Sequence, residues 1–343
     1  MKKMISIVLS LLFLFSFTSC SASRQKTFSK DFLDLFDTAC KISAFDLSQN
    51  DFNKHFETVY KELEEYSKLF DIYKSYGDLV NLKYINDYAA NAPVKADEKI
   101  IDLLLYGKEI YNLTNGKTNI AMGSVLSLWH QCRQEGLDSP DQAELPDKSM
   151  LLEASEHTNI ADLIIDTKNN TVFFKDDKMS IDVGAIAKGY VCEKIAAFIK
   201  NNDIWNSALI SLGGNIKTIG QKNDTHFNVA IENPNGGNYL CTVGVSNDQS
   251  VVTSGDYQRY YTVNGKKYCH IIDPQTLFPS EYFKSVTVVS HDSALADAMS
   301  TALFVMDLDA GQKLVSNHND LMVMWVDKKD NIIYSNGFKE LVN

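Results

Sequence analysis

The sequence predicts an α+β fold on three observations. Helical patterns open the chain after residue 50, strand patterns dominate from about residue 161, and no regular strand–helix–strand rhythm is present. Of the 343 residues, 45% are apolar and 22% charged, which is typical of a globular protein with a large core. The formal net charge is −11 and no Lys/Arg-rich stripe occurs, so we predict no nucleic-acid partner.

Residues 1–19 predict a secretory signal peptide that ends in a lipobox. Lys2 and Lys3 precede an apolar run, and small residues lead from that run to Cys20. The run of about 14 residues makes roughly 21 Å of helix, too short for a hydrocarbon core of about 30 Å, so we expect it to be removed. Acylation of Cys20 would then anchor the protein outside the cytoplasm, on the periplasmic side or the cell surface. The alternative is an ordinary signal peptide with an incidental cysteine.

The chain after Cys20 divides into a short tether and one domain. Residues 20–30 are small and polar, which predicts a flexible tether, and residues 31–343 show no repeat or Pro-rich linker. Five cysteines remain in this part; they are scattered and no C-x-x-C occurs, which argues against a disulfide framework or a thiolate zinc site. We therefore predict a single catalytic domain.

Helices are predicted early in this domain and hairpins later. Apolar residues with helical spacing predict helices over 51–70 and 97–113, with Asp97 as the N-cap of the second. Apolar runs on both sides of Asn169-Asn170 and of Asn264-Gly265 predict two hairpins. Farther along, the pattern predicts strands over 285–290 and 321–326 with a helix over about 294–306 between them.

Three glycine-containing stretches lie between predicted elements. Residues 115–123 (Asn-Gly-Lys-Thr-Asn-Ile-Ala-Met-Gly) follow a predicted helix and are a candidate functional loop, although an ordinary helix C-cap also explains them. In residues 181–190 (Ile-Asp-Val-Gly-Ala-Ile-Ala-Lys-Gly-Tyr), an apolar strand is predicted to end and a helix to begin. Backbone N–H groups there, with Lys188, suit an anion, although an ordinary strand-to-helix turn is the alternative. Residues 211–215 (Ser-Leu-Gly-Gly-Asn) suit either close approach of a ligand or a tight turn.

Two further stretches carry titratable side chains. Thr-Ser-Gly-Asp at 253–256 lacks the G-x-S-x-G pattern of a hydrolase nucleophile elbow. A general base is therefore the better interpretation, with His270 and the carboxylate of Asp256 as candidates. The alternative is that His270 is a buried, hydrogen-bonded histidine in a turn. Asp297 and Thr301 are four residues apart on a predicted helix and share a face. A carboxylate and a hydroxyl suit a hard cation such as Mg²⁺, and a satisfied Asp–Thr pair is the alternative.

Taken together, and in this order and spacing, the motifs closely resemble the ApbE family, the FAD:protein FMN transferases. The resemblance covers most of residues 32–325 and rests on Asp-Val-Gly-Ala-Ile-Ala-Lys-Gly-Tyr, Leu-Gly-Gly-Asn, Thr-Ser-Gly-Asp-Tyr, His-Ile-Ile-Asp-Pro and Ala-Asp-Ala-Met-Ser-Thr-Ala. It implies an ApbE-type α+β fold with T-fold-like features, in which helices and antiparallel sheet surround a central FAD cleft.

The resemblance also implies roles for individual residues. Mg²⁺ would be held by Asp297, Thr301 and the backbone carbonyl of Ala185, and His270 and Asp256 would lie near the transfer centre. Positions that match FAD contacts are Phe36 in an early strand, Tyr73, Lys117, Thr118, Asn119, Asp182, Lys188 and Ile272. Four positions depart from the usual family residues, namely Asn119 for Asp, Phe36-Asp37-Thr38 for Met-Gly-Thr, Glu193 for Asp and Leu277 for Gly.

The activity that this resemblance implies is Mg²⁺-dependent transfer of FMN from FAD to a Thr or Ser hydroxyl of an acceptor protein, with release of AMP. Two other interpretations stay open at this point. In the first, water replaces the protein hydroxyl and the enzyme is an FAD pyrophosphatase. In the second, the protein is a flavin-binding lipoprotein without catalysis, although pure binding does not require the Asp297/Thr301 pair.

Overall fold

The computed structural model describes residues 26–222 and 225–343. The predicted signal peptide and Cys20 therefore lie outside the described residues. Eight α-helices occur in the described part: α1 Gln49–Leu69, α2 Leu82–Tyr88, α3 Glu98–Leu113, α4 Gly123–Asp138, α5 Lys148–Ser155, α6 Ala187–Asn201, α7 Ser293–Phe304 and α8 Leu308–Ser316. None of these helices is long and apolar enough to cross a membrane.

An eight-stranded antiparallel sheet forms the centre, in the order β1-β2-β6-β7-β10-β13-β14-β15. Its strands are β1 Lys26–Phe32, β2 Cys40–Asp46, β6 Ala208–Leu212, β7 Asn215–Ile219, β10 Ser250–Gly255, β13 Phe283–Ser290, β14 Met322–Asp327 and β15 Ile332–Tyr334. Three small sheets surround it, built from β3 Val94–Lys95, β4 Leu163–Asp166 and β5 Thr171–Phe174; from β8 Phe227–Ile231 and β9 Cys241–Val245; and from β11 Tyr260–Val263 and β12 Lys266–Cys269. The predicted α+β class is confirmed.

Strand β13 shows why the central sheet is apolar on both faces. Val288 packs into a cluster with Met299 and Leu303 of α7, whereas Val289 packs with Val243 of the β8–β9 hairpin on the opposite face. Because successive residues of a strand point to opposite faces, both sides of this strand are covered. The continuous apolar run in its sequence follows from that.

Local signals placed most of the predicted elements correctly. The side chain of Asp97 accepts a hydrogen bond from the backbone N–H of Lys99 and caps α3 as predicted. In both predicted hairpins the turn contains left-handed residues, Asn170 at φ 52° and Asn264 at φ 50°, followed by Gly265 at φ 78°. Asparagine and glycine tolerate this conformation, which explains why the dipeptides marked the turns.

Three local predictions were wrong. Strand β1 begins at Lys26 and pairs with β2, so residues 26–30 of the predicted tether are ordered strand. Phe36 lies in the β1–β2 turn at φ 57°, not in a strand. Residues 181–183 form a loop rather than a strand, because the backbone of Ile181 pairs with the side chain of Asn86, and the N–H of Asp182 donates to the carbonyl of Ile120.

Candidate active site

A single cleft collects almost all the predicted site residues. It lies between the β1–β2 turn, the loop that follows α3, the loop that precedes α6, the β6–β7 turn and one face of α7. The predicted residues that line it are Phe36, Tyr73, Lys117, Thr118, Asn119, Asp182, Ala185, Lys188, His270, Ile272, Asp297 and Thr301. Asp256 is the predicted residue of this set that the cleft does not include.

Asp297 is held at the N-terminus of α6. Its Oδ2 accepts a 2.7 Å hydrogen bond from the backbone N–H of Gly189, a first-turn amide that has no partner within its own helix. Gly189 permits this contact, since a Cβ there would lie 2.3 Å from Cβ of Asp297 and 2.4 Å from the carbonyl oxygen of Ser293. The glycine of the Lys-Gly-Tyr motif thus lets α7 bring its carboxylate to α6.

Thr301 lies one turn farther along α7 on the same face. Its hydroxyl is 3.4 Å from Oγ of Ser254 at the end of β10, and that Oγ is also 2.8 Å from the hydroxyl of Ser300. The Thr-Ser-Gly motif of β10 therefore contacts α7 through hydroxyl groups. Ala185, in the loop before α6, also lines the cleft.

The donor set around Asp297 fits a hard cation. Desolvation raises the pKa of Asp297, whose carboxylate is 5% exposed, while the charge of Lys188 lowers it. Beside it, Oδ1 of Asn215 is buried without a hydrogen-bond partner. Buried oxygens that lack a full set of partners are stabilised by a divalent cation, which takes few protein ligands when water and phosphate complete its shell. Across residues 26–222 and 225–343 no group of three or more His, Cys, Asp or Glu side chains is placed to hold a metal.

Lys188 projects from the first turn of α6 into the cleft. Within the described residues it forms no ion pair and no side-chain hydrogen bond, which leaves its ammonium available to a ligand. Its position at a helix N-terminus, next to the loop of residues 183–186, agrees with the predicted anion site. Asp182 stands at the start of this loop and accepts a hydrogen bond from the N–H of Gly184, while burial raises the pKa of the Asp182 carboxyl.

The loop after α3 is held in place by its own polar side chains. Lys117 forms a 3.0 Å ion pair with the buried carboxylate of Asp273. The hydroxyl of Thr118 donates to the carbonyl of Ala298, and the amide of Asn119 donates to the carbonyl of Thr158. These three predicted contact residues therefore shape the cleft wall and fix it against α7.

His270 lies on the wall of the cleft with its imidazole reachable from the cleft. Its Nδ1 lies 3.1 Å from the carbonyl oxygen of Arg259. A carbonyl can only accept, so Nδ1 carries the proton and Nε2 presents its lone pair. Desolvation lowers the pKa of His270 to about 3, and the neighbouring charges of Arg259, Lys188 and Arg133 act in the same direction. The imidazole is therefore neutral at neutral pH.

Asp256 is not brought to His270. Its carboxylate accepts a 2.7 Å hydrogen bond from Nζ of Lys328 and lines a second, neighbouring pocket. The residue follows Gly255, where β10 ends, so the alternation of the strand no longer sets the direction of its side chain, and the contact with Lys328 holds the carboxylate outside the cleft. The predicted pairing of Asp256 with His270 is not found in the structure, where the carbonyl of Arg259 lies at Nδ1 of His270 instead.

Aromatic and apolar side chains close the other side of the cleft. Tyr73 is half exposed and stacks on His130 with ring centroids 4.9 Å apart. Ile272 is buried against the loop that contains Leu277, and Phe36 packs partly against the main core. The exposed ring of Tyr73 is available for stacking on a planar ligand.

Comparison with known proteins decides the family. The family model described as "ApbE family" matches residues 36–325. The chain belongs to the ApbE family.

Curated and solved ApbE relatives agree over most of their length. A protein of Klebsiella pneumoniae named FAD:protein FMN transferase is 30% identical over 278 residues, which are 78% of this chain and 84% of that one. One of Treponema pallidum with the same name is 32% identical, over 72% of this chain and 71% of the relative. The crystal structure of the ApbE protein of Thermotoga maritima superimposes with a TM-score of 0.81 at 26% identity, covering 93% of this chain and all of that one. The ApbE-type fold is confirmed.

Three cleft residues lie outside the ApbE motifs and were not predicted. Arg133 and His130 come from α4, and Arg259 from the segment between β10 and β11. Nη2 of Arg133 lies 3.0 Å from Nδ1 of His130, and Nη2 of Arg259 donates to the carbonyl of Asp37. One signal was available in the sequence: the chain has only three arginines among 33 basic residues, and two of them are these.

Proposed function

We propose that this protein is a Mg²⁺-dependent FAD:protein FMN transferase. The proposal rests on one observation: a buried carboxylate, a free lysine and a neutral imidazole line the same cleft of an ApbE chain. These are the groups that phosphoryl transfer requires, since its catalysis is mostly alignment and neutralisation of oxygen charge. The names of the relatives support the flavin substrate.

Asp297, Thr301 and the backbone carbonyl of Ala185 would hold the Mg²⁺. When bound, the ion supplies positive charge to the pyrophosphate oxygens of FAD. Lys188, at the N-terminus of α6, would bind the same pyrophosphate through its ammonium group. The remaining predicted contacts, from Phe36 and Tyr73 to Ile272, form the walls against which the nucleotide is oriented.

In the transfer step, a Thr or Ser hydroxyl of the acceptor protein attacks the FMN-side phosphorus. The new oxygen–phosphorus bond forms as the bond to the bridging oxygen breaks, and AMP leaves with that oxygen. Nε2 of His270 accepts the hydroxyl proton, because Nδ1 already donates to Arg259. The low pKa of His270 keeps Nε2 unprotonated before the attack.

Hydrolysis of FAD to FMN and AMP is a second candidate activity of the same site. The imidazole of His270 is reachable from the cleft, so water can take the place of the acceptor hydroxyl. We further propose that the mature protein is attached through acylated Cys20 to the outer face of a bacterial membrane, so that its acceptors are extracytoplasmic proteins.

One incubation tests these activities together. The protein is mixed with FAD, Mg²⁺ and a Thr/Ser-containing acceptor, and AMP, free FMN and acceptor-bound FMN are followed. Acceptor-bound FMN supports transfer, free FMN alone supports hydrolysis, and unchanged FAD contradicts both.

Replacement of Asp297 tests the cation site. Asp297→Ala should lower the rate of AMP release at least about 100-fold, because removal of a group that stabilises the charge of the transition state typically costs this much. Asp309→Ala, an exposed acid on α8, is the matched control and should retain the rate. A wild-type rate in Asp297→Ala would refute the assignment.

A further inference from the structure

We infer that the anchored domain rests on the lipid surface with the end of the central sheet at which β1 begins, and that the cleft opens at the opposite end, away from the membrane. The inference rests on the proposed lipid anchor at Cys20 and deepens it, because it assigns an orientation and a lipid-facing surface to the domain.

The strand register divides the central sheet into two ends. Lys26 of β1 is opposite Asp46 of β2, and Phe32 is opposite Cys40. Cys40 is in turn opposite Leu212, the last residue of β6. The antiparallel pairings from β6 through β14 continue this alignment across the sheet. We call the end level with Lys26 the anchor end and the end level with Phe32 the cleft end.

The cleft residues that the central sheet supplies lie at the cleft end. Phe36 is in the β1–β2 turn, Gly213 is in the β6–β7 turn, and residues 253–255 are the last of β10. Strand β1 advances about 20 Å over the six steps from Lys26 to Phe32, at roughly 3.3 Å per residue. The cleft therefore begins about 20 Å along the sheet from Lys26.

The connection from Cys20 to the domain is too short for the opposite orientation. By the difference of their numbers, six residue steps separate Cys20 from Lys26, and six steps span at most about 22 Å when fully extended. The headgroup layer, about 5–7 Å thick, takes up part of that reach. A domain with its cleft end on the lipid would need the reach to cover all of β1, about 20 Å, and also the turn of residues 33–39 beyond Phe32. Covalent geometry therefore keeps the anchor end next to the membrane.

The anchor end presents a surface that suits lipid headgroups. In the segments that connect strands and helices there, many exposed side chains are amides, among them Gln49, Asn50, Asn201, Asn206, Gln221 and Asn247. Amides donate hydrogen bonds to the phosphate and ester oxygens of lipids, and they have no charge to desolvate. An exposed leucine lies at each end, Leu47 and Leu33, so apolar exposure does not distinguish the two. Lys26 and Lys222 are exposed cations of the anchor end and Asp203 is an exposed acid, an excess of positive charge that an anionic lipid surface attracts.

The test measures how far each end stands from the lipid. The full-length acylated protein is reconstituted into vesicles of phosphatidylcholine and phosphatidylglycerol whose headgroups carry an energy-transfer acceptor. A donor fluorophore is introduced through one non-natural amino acid, at Asn201 or at Ser75, which are both exposed and outside the cleft lining. Asn201 is next to Lys200, which pairs with Asp248 just before β10 and so marks the anchor end.

The two donor positions should report different heights above the membrane. Ser75 is next to Lys74, whose ammonium pairs with Asp37 in the β1–β2 turn, so Ser75 marks the cleft end. The donor at Ser75 should lie at least about 20 Å farther from the acceptors than the donor at Asn201, which is the length of β1. Equal distances, or a shorter distance from Ser75, would overturn the inference.

A longer connection provides the matched control. About ten Gly/Ser residues inserted between Ser23 and Arg24 lengthen the reach by more than about 30 Å and permit every orientation. The difference in height between the two donors should then shrink toward zero. A difference that persists in full would contradict the role given to the short connection.

Flotation of the vesicles separates failure of the anchor from failure of the orientation. Wild type should float with the vesicles, and Cys20→Ala should not. If Cys20→Ala floats equally well and its two donors still report different heights, the anchor is refuted while the orientation stands. If floating wild type gives equal heights, the orientation is refuted while the anchor stands. Neither measurement depends on turnover, so both are independent of the transferase function.

Discussion

His270 shows how a single side chain is prepared by its surroundings. The backbone carbonyl of Arg259 selects the tautomer, and desolvation together with the nearby cationic side chains keeps the imidazole neutral. Sequence reasoning proposed this residue as a general base. It paired the residue with Asp256, because a carboxylate in the preceding motif is visible in a sequence, whereas the backbone carbonyl that contacts Nδ1 is not.

The pKa of His270 predicts the pH dependence of the reaction. An ordinary histidine protonates near pH 6.5, whereas His270 does so at about 3. Because kcat/KM reports the groups of the free enzyme, its profile for AMP release should lack a histidine limb between about pH 5 and 8. A fall below about pH 6.5 that is absent from the residual activity of His270→Gln would contradict this.

The lowered pKa of His270 also makes the free energy of unfolding depend on pH. Below about pH 6.5 the unfolded chain binds a proton at this histidine, and the folded chain does not do so until about pH 3. The contribution of His270 to the free energy of unfolding is therefore lost as pH falls through this window.

Two departures from the family pattern become intelligible at this scale. Leu277 stands where the family usually has Gly and adopts φ 61°, and Asp37, in a position where Gly is usual, adopts φ 48°. Both residues adopt the left-handed conformation that glycine accommodates most easily. At Leu277 it is fixed from outside, since Trp129 donates its indole N–H to the Leu277 carbonyl. A sequence shows the substitution but not the contact that supports it.

At the scale of elements, a buried lysine joins α6, α7 and β7. The ammonium of Lys217 on β7 is 2.8 Å from Oε2 of Glu193 on α6, and it donates to the carbonyls of Asp248 and His291. The same Oε2 of Glu193 accepts from the N–H of Ser293 at the start of α7. Helices α6 and α7 are therefore joined by two contacts, Glu193–Ser293 and Gly189–Asp297, which lie one turn apart on α6.

Removal of this ammonium should cost much more stability than removal of a surface one. Lys217 is 2% exposed, and its loss removes the charged donor to Glu193 and to the carbonyls of Asp248 and His291. Lys217→Met should lower the free energy of unfolding by about 1–3 kcal/mol, the range for acceptors that lose a charged donor. Lys200→Met, which breaks an exposed pair with Asp248, should cost about 0–1 kcal/mol. Urea unfolding measures both, and equal values would contradict the role given to Lys217.

Elements defined by local signals were predictable, and those defined by partners were not. Caps, helical spacing and asparagine turns placed α1, α3 and both hairpins. The apolar pattern of residues 181–183 predicted a strand. In the structure their backbone hydrogen bonds go to the side chain of Asn86 and the carbonyl of Ile120, which are distant in the sequence. The arginine pair was missed for the same reason: its members are 126 positions apart, by the difference of their numbers.

At the scale of the whole molecule, the cleft draws on both ends of the chain, from Phe36 to Thr301. Strand β1, the first element of the described residues, begins at Lys26 and pairs with β2 at the edge of the central sheet. All the contacts described for the site and the core therefore come after the proposed anchor. We therefore expect that the proposed attachment through Cys20 and the folding of the domain can be separated.

Cys20→Ala tests that separation. With the acyl acceptor gone, the protein should move from the membrane fraction to the released fraction, while its thermal midpoint stays within about 1 °C, because the core contacts described for the domain all lie after residue 25. Cell fractionation and thermal unfolding of both proteins provide the measurements. Retention of Cys20→Ala in the membrane fraction would refute lipid anchoring at this residue.

The carboxylate that closes the N-terminus of α6 is also the proposed cation ligand. Folding and ligand occupancy are then thermodynamically linked, since only the native chain holds Asp297 against Gly189 with Asn215 alongside. A ligand present at 100 times its dissociation constant adds about 2.7 kcal/mol to the stability of such a state. With the cation site occupied as proposed, removal of Mg²⁺ from the medium would lower the stability of the folded chain as well as slow the reaction, so chelation should make the protein easier to unfold.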